Sequence, residues 1–291
     1  MTVLVVGDVV DDISVRALGE VTPASDTTAE IRLRPGGSAA NVAAWLGHLG
    51  ADVTFCGRVG ADAVERHTTA LAGHGVNAVL AGDPERTTAT IVLQLDGEGE
   101  RTMFVDRGAN AGLVASDVPE EAWSGVTWLH LTGYSFFCES VRPVALGLVA
   151  EARERGARVS VDPSSVAYLR EIGAETFLDW VAGADVLLPN LDEARVLSGS
   201  TGPQIDLEAL AARFPHVVVT LGRMGAAYLG GDQRAQVTAP HVDVVDTTGA
   251  GDAFAAGFLA AHLRGADPQA ALDAGRSAAE TCVTHLGARP A

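Results

Sequence analysis

Val245-Asp246-Thr247-Thr248-Gly249-Ala250-Gly251-Asp252-Ala253-Phe254-Ala255-Ala256-Gly257-Phe258 runs from a Thr- and Gly-rich turn straight into a helix of very small residues. The first backbone N–H groups of such a helix lack intrahelical partners and lie at the positive end of its dipole, so they form an anion site. Gly249 and Gly251 let the main chain approach an anion that a Cβ would hold away. Asp252 is out of place there, because a carboxylate repels a phosphate. The conflict resolves if Asp252 takes the proton from a hydroxyl attacking a phosphoryl group that the Gly249, Ala250 and Gly251 amides hold. An acid in a first helical turn also serves as a cap or dipole partner, but the turn around it favours the base.

Upstream of this turn, short Val- and Leu-rich runs alternate with amphipathic Ala- and Arg-rich stretches. Val3–Val6, Val53–Cys56, Val126–Leu131, Arg158–Val161, Val186–Leu188 and Val217–Leu221 read as buried parallel strands. Ala39–Leu49, Ala61–His74, Val141–Arg155, Leu191–Leu197 and Leu207–Arg213 read as the helices between them. Ala250–Arg264 and Pro268–His285 follow as two long small-residue helices. Such alternation implies a three-layer α/β/α fold, a mostly parallel sheet with helices on both faces. Four segments break the pattern: Asp12–Leu18, Thr28–Arg34, Thr88–Leu95 and Arg101–Asp106 alternate polar and apolar residues, and Asp96-Gly97-Glu98-Gly99-Glu100 is a hairpin turn. They are expected to form a small antiparallel lid sheet inserted into a single domain spanning 1–291.

The composition closes off other chemistries. Apolar residues make up 47% and charged residues 20% of 291, enough for a core. All 20 cations are Arg, so no mechanism that needs a catalytic lysine applies, neither a P-loop nor a Schiff base. The net charge of −17 repels nucleic-acid phosphates, and no nucleic-acid partner is expected. No apolar run approaches the ~18 residues of a membrane span and no signal peptide is evident, so the expected location is the cytoplasm. Three scattered cysteines and eight histidines form no metal-ligand spacing.

Asp246-Thr247-Thr248-Gly249-Ala250-Gly251-Asp252 resembles the C-terminal signature of the ribokinase-like (PfkB) carbohydrate kinases. Pro35-Gly36-Gly37-Ser38-Ala39-Ala40-Asn41-Val42-Ala43 is similar to their N-terminal signature, Leu188-Pro189-Asn190-Leu191-Asp192-Glu193 to their Asn-x-x-Glu motif, and Thr220-Leu221-Gly222-Arg223-Met224-Gly225 to their nucleotide loop. The resemblance implies a ribokinase-like fold with a β-sheet lid, dimerisation through that lid, and phosphoryl transfer from ATP with Mg2+. It places Asp12, Gly36, Gly37, Asn41 and Asn110 on the sugar, and Asn190, Thr220, Gly222, Gly225 and Gly251 on ATP. It also places Glu193 near Mg2+ through water, and Asp246 and Thr248 at a monovalent-cation (K+) site. Physical chemistry agrees at several of these positions. Gly36-Gly37 permits a tight turn beside a polyol, the Asn41 amide both donates and accepts, and the Asp12 carboxylate can take two hydroxyls. An acid at the strand end suits Mg2+, which keeps most of its waters.

Ribokinases usually carry Gly-Gly-Lys-Gly-Ala-Asn where this chain has Gly36-Gly37-Ser38-Ala39-Ala40-Asn41, so ribose is not assured as the substrate. A phosphorylated acceptor would want a cation cluster, for which Arg32, Arg34, Arg101 and Arg107 are candidates. Read as solvated strand faces, they leave an unphosphorylated sugar as the expected acceptor. An acid sugar such as 2-keto-3-deoxygluconate, a nucleoside, or a non-catalytic sugar or nucleotide sensor on the same fold are the alternatives.

Overall fold

Thr2–Val6 (β1) lies in the middle of the molecule because it is apolar on both sides. Val3 and Val5 point into one core with the helices Ser38–His48 (α1), Ala250–Leu263 and Pro268–Val283, while Leu4 and Val6 point into a second core on the opposite face. The computed structural model describes residues 2–95, 101–202 and 205–291. The further strands are Val10–Ala17 (β2), Ala29–Gly36 (β3), Asp52–Gly60 (β4), Val76–Asp83 (β5), Ala89–Leu95 (β6), Arg101–Asp106 (β7) and Val126–Thr132 (β8). Arg158–Asp162 (β9), Val186–Leu187 (β10), His216–Thr220 (β11), Ala226–Gly230 (β12) and Gln233–Val237 (β13) complete the set. The main sheet has the order β13-β12-β11-β10-β9-β8-β1-β4-β5. It is parallel from β11 to β5, and the β12–β13 hairpin continues it antiparallel at one edge. The second core takes its helices from Gly133–Phe137 (α3), Arg142–Glu154 (α4), Val166–Ile172 (α5), Ala174–Trp180 (α6), Leu191–Leu197 (α7) and Leu207–Ala211 (α8), while Val64–Ala72 (α2) packs into the first core through Leu71. Ala250–Leu263 is α9 and Pro268–Val283 is α10.

The small sheet differs from the expected antiparallel lid. Its order is β3-β2-β6-β7, and the central pair β2–β6 is parallel, so the lid is mixed. β2 and β6 lie far apart in the sequence, so neither one's alternation reveals the direction of pairing. β2 begins at Val10, which puts Asp12 inside the strand paired with Arg34 rather than ahead of it. The expected turn at 96–100 falls outside the described residues. Register puts Ile13, Val15, Ile31, Leu33, Val92 and Phe104 on one lid face and Asp12, Ser14, Arg34 and Ile91 on the other. Ile31, Leu33 and Phe104 are more than half exposed.

Three strands escaped sequence reading because their patterns are weak. β5 carries Asn77 and Gly82 at a half-buried edge, and β12 and β13 are rich in Ala, Gly and Gln. The two-residue link of Gly231 (φ +54) and Asp232 between β12 and β13 was the available hairpin signal. Helix ends otherwise differ from expectation by a residue or two, apart from Ala61–His74, whose first turn is a separate 3-10 segment, Ala61–Ala63. The three cysteines are free, and no helix among the described residues is long and apolar enough to cross a membrane.

Candidate active site

The parallel strands point their C-terminal ends at one edge, where open α/β sheets gather ligand groups. Asp8 follows β1, Asp162 ends β9, Asn190 follows β10, Thr220 ends β11, and the first turn of α9 faces them. Asp162, Asn190, Glu193, Thr220, Gly251 and Asp252 line a cavity of about 210 Å³ there.

Asp252 is held from α1. Ser38 Oγ donates to Asp252 Oδ1 at 2.7 Å, and Asn41 Nδ2 donates to Oδ2 at 2.9 Å. α1 is itself positioned by Asp8, whose carboxylate accepts from Ser38 N at 2.7 Å and Ala39 N at 3.2 Å, satisfying two free amides of the helix start. Burial pushes the Asp252 carboxyl up to about 8; the Asn41 and Ser38 bonds pull against that, and the charges of Asp162 and Asp8 add to it. A carboxyl raised in this way suits general-base work near neutrality.

The glycines of the α9 turn divide by role. Gly249 caps α9 at φ +77, and a Cβ on it would lie 2.5 Å from Ala288 Cβ, so this position must be glycine for packing alone. A Cβ on Gly251 would meet nothing within 4 Å; its open side is the cavity. Ala250 is the first helical residue.

Of the residues expected at the sugar, Asn41 touches Asp252, while Asp12, Gly36, Gly37 and Asn110 lie outside the lining of the cavity at Asp252. A Cβ on Gly36 would lie 1.9 Å from Asp12 Oδ2, and Gly37, at φ +97, packs on the main chain of Asp8 and Val9. The two glycines therefore make room for protein atoms first, where the sequence suggested room for the polyol. Burial, with the charge of Asp8, raises the Asp12 carboxyl to about 6. Asn110 Oδ1 accepts from Val9 N at 3.3 Å at the base of the lid. Of the lid cations, Arg107 rests over the Tyr168 ring, 5.2 Å from its centroid.

Among the residues expected at ATP, Asn-x-x-Glu forms a capping box. Asn190 Oδ1 accepts from Asp192 N and Glu193 N, both at 3.0 Å, and Glu193 Oε2 accepts from Asn190 N at 2.9 Å. The cap and the cavity wall are thus the same residues. Burial raises the Glu193 carboxyl, and burial together with the Glu193 charge raises Asp162. Gly222 is exposed outside the cavity wall. Gly225 lies where a Cβ would be 1.8 Å from Val237 O, so it serves the packing of β12 on β13. Asp246 and Thr248 meet in one loop: Asp246 Oδ1 accepts from Thr248 N at 3.0 Å and Thr248 Oγ1 at 2.7 Å, and Oδ2 accepts from Gly287 N at 3.1 Å.

Sequence reading missed Ser38, Asp8, Asp162 and Arg289 as members of this cluster. Asp162 carried a signal, a carboxylate directly after a core strand. Ser38 was seen only as a departure from lysine. Arg289, nearly 250 residues from Asn41 whose amide it touches, carried none.

The pfkB family carbohydrate kinase model matches residues 2–291. The chain is 33% identical over 259 residues to a fructokinase from Vibrio alginolyticus, covering 86% of this chain and 83% of that one. It is 32% identical over 308 residues to an ATP-dependent ribose-1-phosphate kinase from Halopiger xanaduensis, covering 99% and 94%. The crystal structure of an adenosine kinase from Sinorhizobium meliloti superimposes with a TM-score of 0.88 at 25% identity, covering 99% and 95%.

Proposed function

The chain belongs to the pfkB family of carbohydrate kinases, and from that premise we propose that it transfers the γ-phosphoryl group of ATP to a hydroxymethyl oxygen of a neutral sugar, as ribokinases and fructokinases do. The observation that carries this reading is Asp252, fixed by Ser38 and Asn41 at the mouth of an open helix start. Asp252 takes the acceptor hydroxyl proton, and the amides at the start of α9 hold the phosphoryl group as charge moves onto it. Asp12, Asn41 and Asn110, with the Gly36-Gly37 main chain, orient the sugar. Asn190, Thr220, Gly222, Gly225 and Gly251 lie along the nucleotide.

With no lysine in the chain, charge on the phosphates needs another source. Asp162 and Glu193 fit Mg2+: they are acids whose burial and mutual repulsion a dication relieves, and Glu193 has one oxygen outside its cap. Bound with ATP, Mg2+ would neutralise charge on the transferred group. Among the described residues no cluster of three or more His, Cys, Asp or Glu is arranged for a metal, so phosphates and water would supply the other ligands. A K+ site at Asp246 and Thr248 belongs to the same reading, although that carboxylate already accepts three hydrogen bonds.

A coupled ADP-release assay with Mg2+ across fructose, ribose, 2-keto-3-deoxygluconate and nucleosides tests the reading. Turnover on none of them would leave the sensor. Asp12→Ala should raise the sugar KM at least about tenfold, since a hydroxyl partner lost from a buried polar group costs about 1–3 kcal/mol, and leave the ATP KM nearly unchanged. Movement of the ATP constant alone would put Asp12 on the nucleotide side.

Ser38→Ala tests how the base is tuned. Ser38 donates to the charged form of Asp252, so its removal should raise that pKa further. The base works only when deprotonated, so the acid limb of kcat/KM should move to higher pH by about one unit. A limb that stays in place would separate Ser38 from the base.

The same reading makes the protein a cytoplasmic homodimer joined through the lid. The lid face opposite Asp12 presents Ile31, Leu33 and Phe104 to solvent, and a second copy on that face would cover them without entering the site. Light scattering at micromolar concentration should give twice the monomer mass, and Leu33→Glu should halve it.

A further inference from the structure

Arg289, 7% exposed, is a cation packed between the sugar-side residues Gly36 and Asn41 and the acid Asp252 that Asn41 holds. Trp45 Nε1 donates to Ala288 O at 2.8 Å and fixes the segment that carries it. Arg289 Nε donates to Asn41 Oδ1 at 3.2 Å and Nη2 to Gly36 O at 2.9 Å. Nη1 is buried and has no partner among the described residues. Asp12, Asp252 and Asp8 act on the guanidinium through their charge, but among the described residues none forms a direct ion pair with it. Burial draws its pKa down to about 10 against the pull of these acids. An unpaired charged donor is costly to bury, and that cost is relieved when a ligand brings the missing acceptor.

The arrangement also says which ligand. Gly36 stands between Asp12, against whose carboxylate its α-carbon packs, and Arg289, which holds its carbonyl. Asn41 stands between Arg289 and Asp252. Asp12, Asp252 and Asp8 already act on this one guanidinium through their charge, so a phosphate or carboxylate on the acceptor would compete with them for it and meet their repulsion, whereas an uncharged hydroxyl or ring oxygen would not. We propose that Arg289 is a substrate-binding, specificity-determining residue whose Nη1–H donates to an oxygen of a neutral polyol that Asp12 engages through its hydroxyls. The pocket then reads a donor and an acceptor together, and it discriminates against acceptors that already carry an anion. This rests on the sugar-kinase reading above.

The experiment compares wild type, Arg289→Gln and Arg289→Lys on D-fructose, D-ribose, ribose 1-phosphate and adenosine. It measures kcat, both KM values and melting temperature, together with calorimetric binding of each acceptor in the presence of a non-hydrolysable ATP analogue. For the preferred neutral acceptor, Arg289→Gln should raise KM and the calorimetric Kd about 10–100-fold, with the ATP KM within about twofold; Arg289→Lys should fall between. In a cycle against the mono-deoxy analogues of that acceptor, one position should show penalties that do not add, because analogue and variant remove the same contact. Wild type should use ribose 1-phosphate at least about tenfold less well than the neutral acceptor. Unchanged acceptor constants in both variants, additive penalties at every position, or preference for ribose 1-phosphate would each overturn the proposal. If Arg289→Gln does not fold, Arg289→Lys and the wild-type preference decide. Failure of wild type to turn over or bind any acceptor would instead overturn the sugar-kinase reading, and this proposal with it.

Discussion

Asp252→Asn should lose about 10²–10⁴ in kcat, the usual worth of a positioned base, while melting temperature and ATP binding stay close to wild type. The amide has nearly the shape of the carboxylate. Its oxygen can still accept from Ser38 or Asn41, so α9 stays docked against α1. It cannot take a proton. The substitution also removes an acid whose pKa burial has pushed up to about 8, so the acid limb of the wild-type pH profile should vanish from the residual activity. The sign follows from the raised pKa: wild-type kcat/KM climbs as pH rises towards 8 and the base loses its proton, and the variant has no such rise. A variant with near wild-type turnover, or with an unchanged acid limb, would show that Asp252 is only a helix-start acid.

Gly251→Ala should separate catalysis from stability. The position is an ordinary helical one in the first turn of α9, where alanine is favoured over glycine by about 0.5–1 kcal/mol, and the added Cβ meets no protein atom within 4 Å. The melting temperature should hold or rise. The methyl group would stand on the cavity side of the amides that receive the phosphoryl group, and holding that group off costs about as much as losing a preorganised donor, 10²–10³ in kcat. Gly249→Ala is the contrast. It is strained at φ +77 and collides with Ala288, so it should lose activity by destabilising the turn, with a lower melting temperature. If Gly251→Ala kept full activity, the α9 amides would not be the phosphoryl cradle.

These two expectations rest on different layers of information. The alternation of apolar runs with amphipathic stretches determined the parallel sheet and its two helical layers, since Val3 and Val5 against Leu4 and Val6 encode two buried faces in four residues. The run 246–252 pointed to a candidate anion site and a candidate base, because glycine freedom, a helix start and a first-turn carboxylate are all local. The Asn-x-x-Glu motif likewise carried its own geometry as a capping box. The tertiary structure alone decided which distant groups act together. Register in the lid is set by pairing β2 with β6, whose partners (Val10 with Ala89, Arg16 with Leu95) are 79 residues apart, and the parallel direction of that pair is invisible in either strand's alternation. Whether a glycine faces protein or cavity depends on what the fold brings opposite it: Ala288 for Gly249, Val237 for Gly225, open space for Gly251. Arg289 is one of 20 arginines in the sequence; only burial against Asn41 and Gly36, near Asp8 and Asp12 from one end of the chain and Asp252 from the other, turns it into a buried donor with an unpartnered Nη1 among the described residues. Local sequence specifies conformation, whereas desolvation and charge pairing depend on neighbours that arrive only when the chain closes on itself.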